Sequence, residues 1–143
     1  MFLTQLPLSL ALLTLLSTSA RAQEKALPER QADFLKGLQE GKIQESFAEL
    51  LRGSLVLQNK TEVDNLIVQT EKGLKVYGGI TAFENLGLTR EHKLVAFGSA
   101  VVGCEKGPLY FYFIWYRPRL DAAWRIQNVW FDDNSKAFVE GRK

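Results

Sequence analysis

Proton transfer at neutral pH needs a titratable group in a partly dry pocket beside a hydrogen-bond donor, and few residues of this sequence have the type to supply one. His92 is the single histidine. It stands in the polar run Thr89-Arg90-Glu91-His92-Lys93, where burial preference favours a solvated position over a catalytic one. Glu84 follows Phe83 and, if set beside Tyr77, is either a carboxylate with a raised pKa acting as base or one arm of a surface ion pair. Such a base would need Tyr77 or Tyr116 as donor to the same substrate atom. Asn128 stands between aromatic neighbours, a carboxamide that either orients a ligand or ties down adjacent backbone. Cys104, the single cysteine, has no histidine or helix start nearby to lower its pKa and reads as a small buried apolar residue. Asp132-Asp133-Asn134-Ser135 lacks the ligand spacing and distal glutamate of a calcium loop and reads as a turn capped by its own side chains. With one histidine and one cysteine, no metal-ligand spacing emerges, and neither a metal nor a cofactor is expected.

The segment Leu109 to Arg117 carries a different message. Alternation places Leu109, Phe111, Phe113 and Trp115 on one face and Tyr110, Tyr112, Ile114 and Tyr116 on the other. Both faces are apolar or aromatic. A solvated sheet side would alternate to polar residues, so the second face needs a cover of helices, ligand or another subunit. A two-sided core would require more helix than the chain contains, which favours a homodimer through Tyr110, Tyr112 and Tyr116. On the following strand, the same alternation puts Trp124, Ile126, Asn128 and Trp130 on one side and Arg125, Gln127, Val129 and Phe131 on the other.

The elements that must position these residues follow from periodicity. Between Glu29 and Leu51, Phe34, Leu38, Ile43, Phe47, Leu50 and Leu51 mostly fit one helical face, interrupted by Gly37 and Gly41. Two short helices, or one bent near Gly41-Lys42, are expected. A second amphipathic stretch runs from a capping signal at Thr61-Glu62-Val63-Asp64 through Val63, Leu66, Ile67, Thr70, Leu74 and Tyr77, and Gly78-Gly79 closes it. Beyond it the period changes to two. Four strands are expected at Ile80 to Leu88, His92 to Cys104, Leu109 to Arg117 and Trp124 to Asp132, joined closely enough to pair antiparallel. Helices first and sheet second is the order of an α+β domain, with the helices packed on one face of a curved antiparallel sheet of about four strands.

The chain opens with a leucine-rich run, Leu6 to Leu16, followed by Ala20-Arg21-Ala22. The run is about 11 residues, short of the roughly 20 that cross a bilayer, and an Ala-x-Ala site follows it. A secretory signal peptide over 1–22 is expected, leaving one domain over 23–143 and no stable membrane anchor after cleavage. Of the 18 Lys plus Arg, only Arg21 lies in the leader, so 17 remain against 16 Asp plus Glu. A net charge of +1 points to no nucleic-acid partner. Without a disulfide, the stability of an exported domain falls to its core, and 46% apolar residues make one feasible.

Three stretches together resemble the nuclear transport factor 2-like superfamily of cone-shaped α+β domains. They are Phe34-Leu35-Lys36-Gly37-Leu38-Gln39-Glu40-Gly41 with Phe47 to Leu51, Tyr77-Gly78-Gly79-Ile80-Thr81-Ala82-Phe83-Glu84, and Trp124-Arg125-Ile126-Gln127-Asn128-Val129-Trp130-Phe131-Asp132. The resemblance implies a small-molecule pocket at the mouth of the cone and, in many members, dimerisation through the outer sheet face. It also implies a bacterial, periplasmic or secreted setting. The acid/base sets of the family's isomerases and cyclases do not map onto this chain residue by residue. The expectation is a non-enzymatic homodimeric or ligand-binding domain. Its small apolar or amphipathic ligand would lie among Phe34, Leu38, Phe47, Ile67 and Leu74, oriented by Tyr77, Glu84 and Asn128. The alternative is a proton-transfer enzyme that uses Glu84.

Overall fold

The computed structural model describes residues 25–134; the expected leader at 1–22 and the final residues 135–143 lie outside them. Three helices precede a four-stranded antiparallel sheet in the order β1-β2-β3-β4. The helices are α1 (Leu27–Gln39), α2 (Ile43–Leu50) and α3 (Lys60–Tyr77), with a 3-10 turn at Leu55–Gln58 before α3. The strands are β1 (Ile80–Glu91), β2 (Val95–Cys104), β3 (Gly107–Tyr116) and β4 (Arg125–Asp132). The sheet is curved and unclosed, and the helices cover one of its faces. The fold is α+β, consistent with a cone. No helix among the described residues is long and apolar enough to cross a membrane.

The first helical stretch divides at Gly41-Lys42 into α1 and α2, but Gly37 does not interrupt it. A β-carbon at Gly37 would overlap the Ser46 hydroxyl, so this glycine lets α2 fold back against α1. Asn59, not Thr61, caps α3, its side-chain oxygen accepting from the Glu62 N–H at 3.1 Å. At the other end, Gly78 adopts φ 85°, the left-handed conformation, and the chain turns into β1.

The core lies between α1, α2 and the inner sheet face. Phe34 meets Phe47, Phe111 and Phe113 edge-on at centroid distances of 5.0, 6.2 and 5.9 Å. Leu109, Phe111, Phe113 and Trp115 share one face of β3, as alternation groups them, and all four are buried, so burial identifies that face as the inward one.

Several strand boundaries and one orientation depart from the sequence reading, the end of β3 and the start of β4 by a single residue each. β1 runs on to Glu91, and β2 begins at Val95 instead of His92, because the His92 N–H donates to the Val95 carbonyl and closes a tight turn. β3 begins at Gly107, paired with Cys104 across a two-residue hairpin. In β4, Ile114 pairs with Asn128 but Trp115 pairs with Ile126, so Gln127 is the extra residue of a bulge. Ile126 and Val129 therefore both face inward and are buried, while Asn128 and Trp130 are exposed. Strict alternation had grouped Ile126 with Asn128 and Trp130.

One buried polar cluster fixes α1 on the sheet. Gln31 is 0% exposed; its carboxamide oxygen accepts from Trp115 Nε1 at 2.9 Å, and its nitrogen donates to Asn85 Oδ1 and the Gly87 carbonyl at 3.0 and 3.2 Å. Asn85 in turn donates to the Pro28 carbonyl at 2.7 Å. A β-carbon at Gly98 would overlap the Gln31 carboxamide, so only glycine fits below it. Replacing Gln31 with Leu removes the partner of the Trp115 indole N–H and that of the Gly87 carbonyl, while Asn85 keeps its bonds to the Gly87 N–H and the Pro28 carbonyl, and the expected loss of stability is about 2–4 kcal/mol. Urea unfolding of Gln31→Leu measures it. A loss under about 0.5 kcal/mol would show that the cluster is not a fixed part of the fold.

Candidate functional site

Three regions carry the groups that chemistry or binding would need. The first is a cleft between the helices and the far half of the sheet. α1 and α2 seal the inner face over β1 to β3, but α3 buries only Thr70 and Leu74. The gap between α3 and β4 has a volume of about 330 Å³ and is lined by Phe47, Leu66, Gln69, Thr70, Phe111, Val129, Trp130 and Phe131. Aromatic carbon dominates its walls, and Phe111 and Phe131 stack there at 5.2 Å. The Thr70 hydroxyl donates to the Leu66 carbonyl of its own helix at 2.7 Å, which leaves the exposed Gln69 amide as the polar group at the rim. Phe131 packs so close to Gly73 that a β-carbon there would collide with its ring, so glycine lets α3 approach β4 at this point.

The second region is the open end, where α3, the β2–β3 hairpin and the end of β4 meet. The Tyr77 hydroxyl donates to Asp133 Oδ2 at 2.5 Å, and the Lys106 N–H donates to the Tyr77 carbonyl at 3.0 Å. The hydrogen bond to Asp133, ahead of desolvation and the nearby negative charges, raises the Tyr77 pKa above its ordinary 10.0. The same bond lowers the Asp133 pKa below 3.8. The Asp132-Asp133-Asn134 turn is held by the Asn134 N–H donating to Asp132 Oδ1 at 2.9 Å. Among the described residues, no cluster of His, Cys, Asp and Glu is arranged to hold a metal ion.

The third region is the outer sheet face. Register aligns Glu84, Val101, Tyr110 and Asp132 in one row, Ser99, Tyr112 and Trp130 in the next, then Arg90, Phe97, Ile114 and Asn128, then Val95, Tyr116 and Arg125. Tyr112 stacks on Trp130 at 5.1 Å. Its hydroxyl is buried with no hydrogen-bond partner, and burial, ahead of the Asp132 and Tyr110 charges, raises its pKa. Arg125 lies over the Tyr116 ring at 5.5 Å.

The residues singled out from sequence thus separate. Phe34 is core, 2% exposed, and Phe47 is shared between core and cleft. Tyr77 is committed to Asp133 at the open end. Glu84 and Asn128 are exposed on the outer face, in different rows, so the three polar groups expected to orient one ligand do not meet in one cavity. Tyr110, Tyr112 and Tyr116 do share a face. His92 is exposed in its turn, and Cys104 is 9% exposed with its thiol pKa raised by burial. Sequence reasoning missed Gln69 and Leu66 as cleft residues because nothing in the 3.6-residue pattern of α3 says how closely that helix approaches the sheet. It also passed over Gln31 and Asn85, whose amides are unremarkable until Trp115 is placed between their elements.

In comparisons with protein-family models, curated proteins and solved structures, nothing matches this chain.

The Tyr77–Asp133 contact has a defined pH window. Asp133, its folded pKa lowered, contributes stability above the ordinary carboxylate range that is lost as pH falls through its lowered value. Tyr77, its folded pKa raised, contributes stability below pH 10 that is lost as pH rises through its raised value. Ultraviolet titration of the tyrosines should show Tyr77 and Tyr112 as late phenols, and in Asp133→Asn the Tyr77 step should move back toward the ordinary value while the Tyr112 step stays late. An unchanged titration curve would mean that the contact does not persist in solution.

Proposed function

We propose that this chain is an exported, non-enzymatic binding domain of the nuclear transport factor 2-like type, holding a small apolar or amphipathic molecule in the cleft between α3 and β4. The observation that carries the reading is the cleft itself. Its volume of about 330 Å³ is at the lower end of the range for small-molecule sites. Phe47, Phe111 and Phe131 supply aromatic surface to its lining, and the Gln69 amide at its rim suits a ligand with one polar end.

The family type is supported by the helices-then-sheet order and by the curved, unclosed sheet. Export is supported by the leucine-rich run and the Ala20-Arg21-Ala22 site. A proton-transfer role has less support, since Glu84 lies on the outer face and the Tyr77 hydroxyl already donates to Asp133.

Two measurements test this reading. Protein recovered from an exporting host should begin at Gln23 by intact mass; a retained leader would remove export from the reading. Anilinonaphthalene sulfonate, an amphipathic aromatic probe, should bind with one-to-one stoichiometry. Leu66→Arg, placing a charge in the cleft wall, should weaken that binding more than tenfold with the circular dichroism spectrum unchanged. Glu84→Gln should leave it as it was. Equal binding by Leu66→Arg and the parent protein would refute the cleft as the site.

A further inference from the structure

On the outer sheet face the charges divide by end and the centre is apolar. Glu84 and Asp132 share the first row with Val101 and Tyr110, and Ser99, Tyr112 and Trp130 form the second. Arg90 and Arg125 stand in the third and fourth, beside Phe97, Ile114 and Tyr116. The helices pack on the other face, and no described helix or strand lies over this one. Its second row is dry all the same. Ser99 is 5% exposed, and the Tyr112 hydroxyl is buried with no hydrogen-bond partner among the described residues. Native structures rarely leave such a group unmet, so the cover of this face is to be sought beyond residues 25–134.

We propose that the cover is the chain's own next segment, Ser135-Lys136-Ala137-Phe138-Val139-Glu140, folded back over the outer face of β3 and β4. β4 ends at Asp132, and the Asn134 N–H donates to Asp132 Oδ1, so the chain leaves the sheet in a turn at the acidic end of this face. In extended chain, Lys136, Phe138 and Glu140 point one way and step by about 6.8 Å, the spacing of the outward rows. Their order is base, ring, acid. The rows ahead of them run carboxylates, then rings, then guanidinium groups. Lys136 falls on the climb to a layer about 10 Å above the sheet, and its long side chain reaches back to Asp132. Phe138 comes to the Tyr112–Trp130 pair, where Trp130 is 41% exposed, and Glu140 advances toward Arg125. A main-chain carbonyl of the segment supplies the acceptor that the Tyr112 hydroxyl lacks. Beyond Gly141, Arg142 and Lys143 repeat the sign of the basic end, so the match stops at Glu140.

The length of the segment suits this path. Six extended residues span about 20 Å, enough for the climb and for two rows of the face. The competing path is a fifth strand on the free edge of β4. A two-residue hairpin at Asp133-Asn134 would pair Phe131 with Lys136 and Val129 with Phe138. It would set the lysine on the inner side, where Phe131 stacks on Phe111, and leave the Tyr112 hydroxyl unmet. Folding over the face keeps both charges of the segment in water at its two ends and places its one ring on rings. The ligand cleft opens on the other side of the sheet, so this inference does not rest on it.

Nuclear Overhauser contacts of the Phe138 ring test the path in the protein as its host processes it. Contacts to the Tyr112 and Trp130 rings within one molecule are expected. Contacts to Val129 overturn the proposal in favour of a fifth strand. Contacts that cross between labelled and unlabelled molecules in a mixed sample overturn it in favour of a second copy, and the absence of any contact leaves the face to a different partner and overturns it as well. Trypsin supplies a second reading, because docking shields the bond after Lys136. Release of residues 137–143, followed by intact mass, should be at least tenfold faster in Phe138→Ala and severalfold faster in Glu140→Gln, and salt should speed it in the parent. Neither substitution touches the described core, and an unchanged thermal melt of the main domain is the control. Release at the parent's rate in Phe138→Ala overturns the proposal.

Discussion

Trp115 on β3 is gripped from two sides by consecutive residues of α1. Gln31 takes the indole N–H, and the Arg30 guanidinium lies 4.7 Å above the ring while donating to the Leu50 and Trp124 carbonyls at 3.1 and 3.0 Å. These contacts tie α1 to the end of α2, to the entry of β4 and, through Asn85 and Gly87, to the irregular middle of β1. Every hydrogen-bonding group of the Gln31 carboxamide is used except one lone pair, so the cluster resists any sliding of α1 along the sheet. A hydrophobic helix face alone would tolerate a shift of one turn. A buried amide would not, because an unmatched partner in a dry interior loses its water without replacing it.

Once α1 is fixed, the sidedness of the sheet follows. α1 and α2 take the inner face over β1 to β3, and what remains over β4 falls to α3, a helix with two buried residues. The cleft exists because of that division. Phe131 touches α3 at Gly73 and stacks on Phe111 within the sheet wall, and no polar cluster comparable to the one around Gln31 ties α3 to β4. A weakly anchored helix beside an aromatic wall is where a compact domain has room to accept a guest without disturbing its core. The saturated polar cluster, by contrast, offers a ligand no free group.

The outer face is governed by the same register. Curvature enters at irregularities in β1 and at the Gln127 bulge in β4, and these set which charges share a row. Because β2 and β3 pair without interruption over their whole length, the central rows of the outer face stay regular while the edges carry the charge. The outer face thus has an apolar centre, and the charges at its edges divide by sign along the strand direction.

The period of 3.6 before Gly78 and of two after it was enough to order the elements, to mark a break near Gly41, to gather Phe34, Leu38 and Phe47 on one helical face, and to gather Phe111, Phe113 and Trp115 on one strand face. Local chemistry governs those choices, since burial of one helical stripe or one strand face is decided within a few residues. Alternation also collected Tyr110, Tyr112 and Tyr116 on one face, because β3 has no bulge in its pairing with β2. It failed at Asn128, where one extra residue in β4 reversed the faces, and a bulge depends on how the partner strand packs rather than on the bulged residues themselves. Glu84 and Tyr77 lie seven positions apart in sequence, yet the turn at Gly78-Gly79 sends one to the outer face and the other to the open end. The sequence by itself determined the elements, their order and, in β3, which residues share a face. Only the tertiary structure decided which polar groups meet, because Gln31 with Trp115 and Tyr77 with Asp133 are contacts between distant elements, fixed when the core closes.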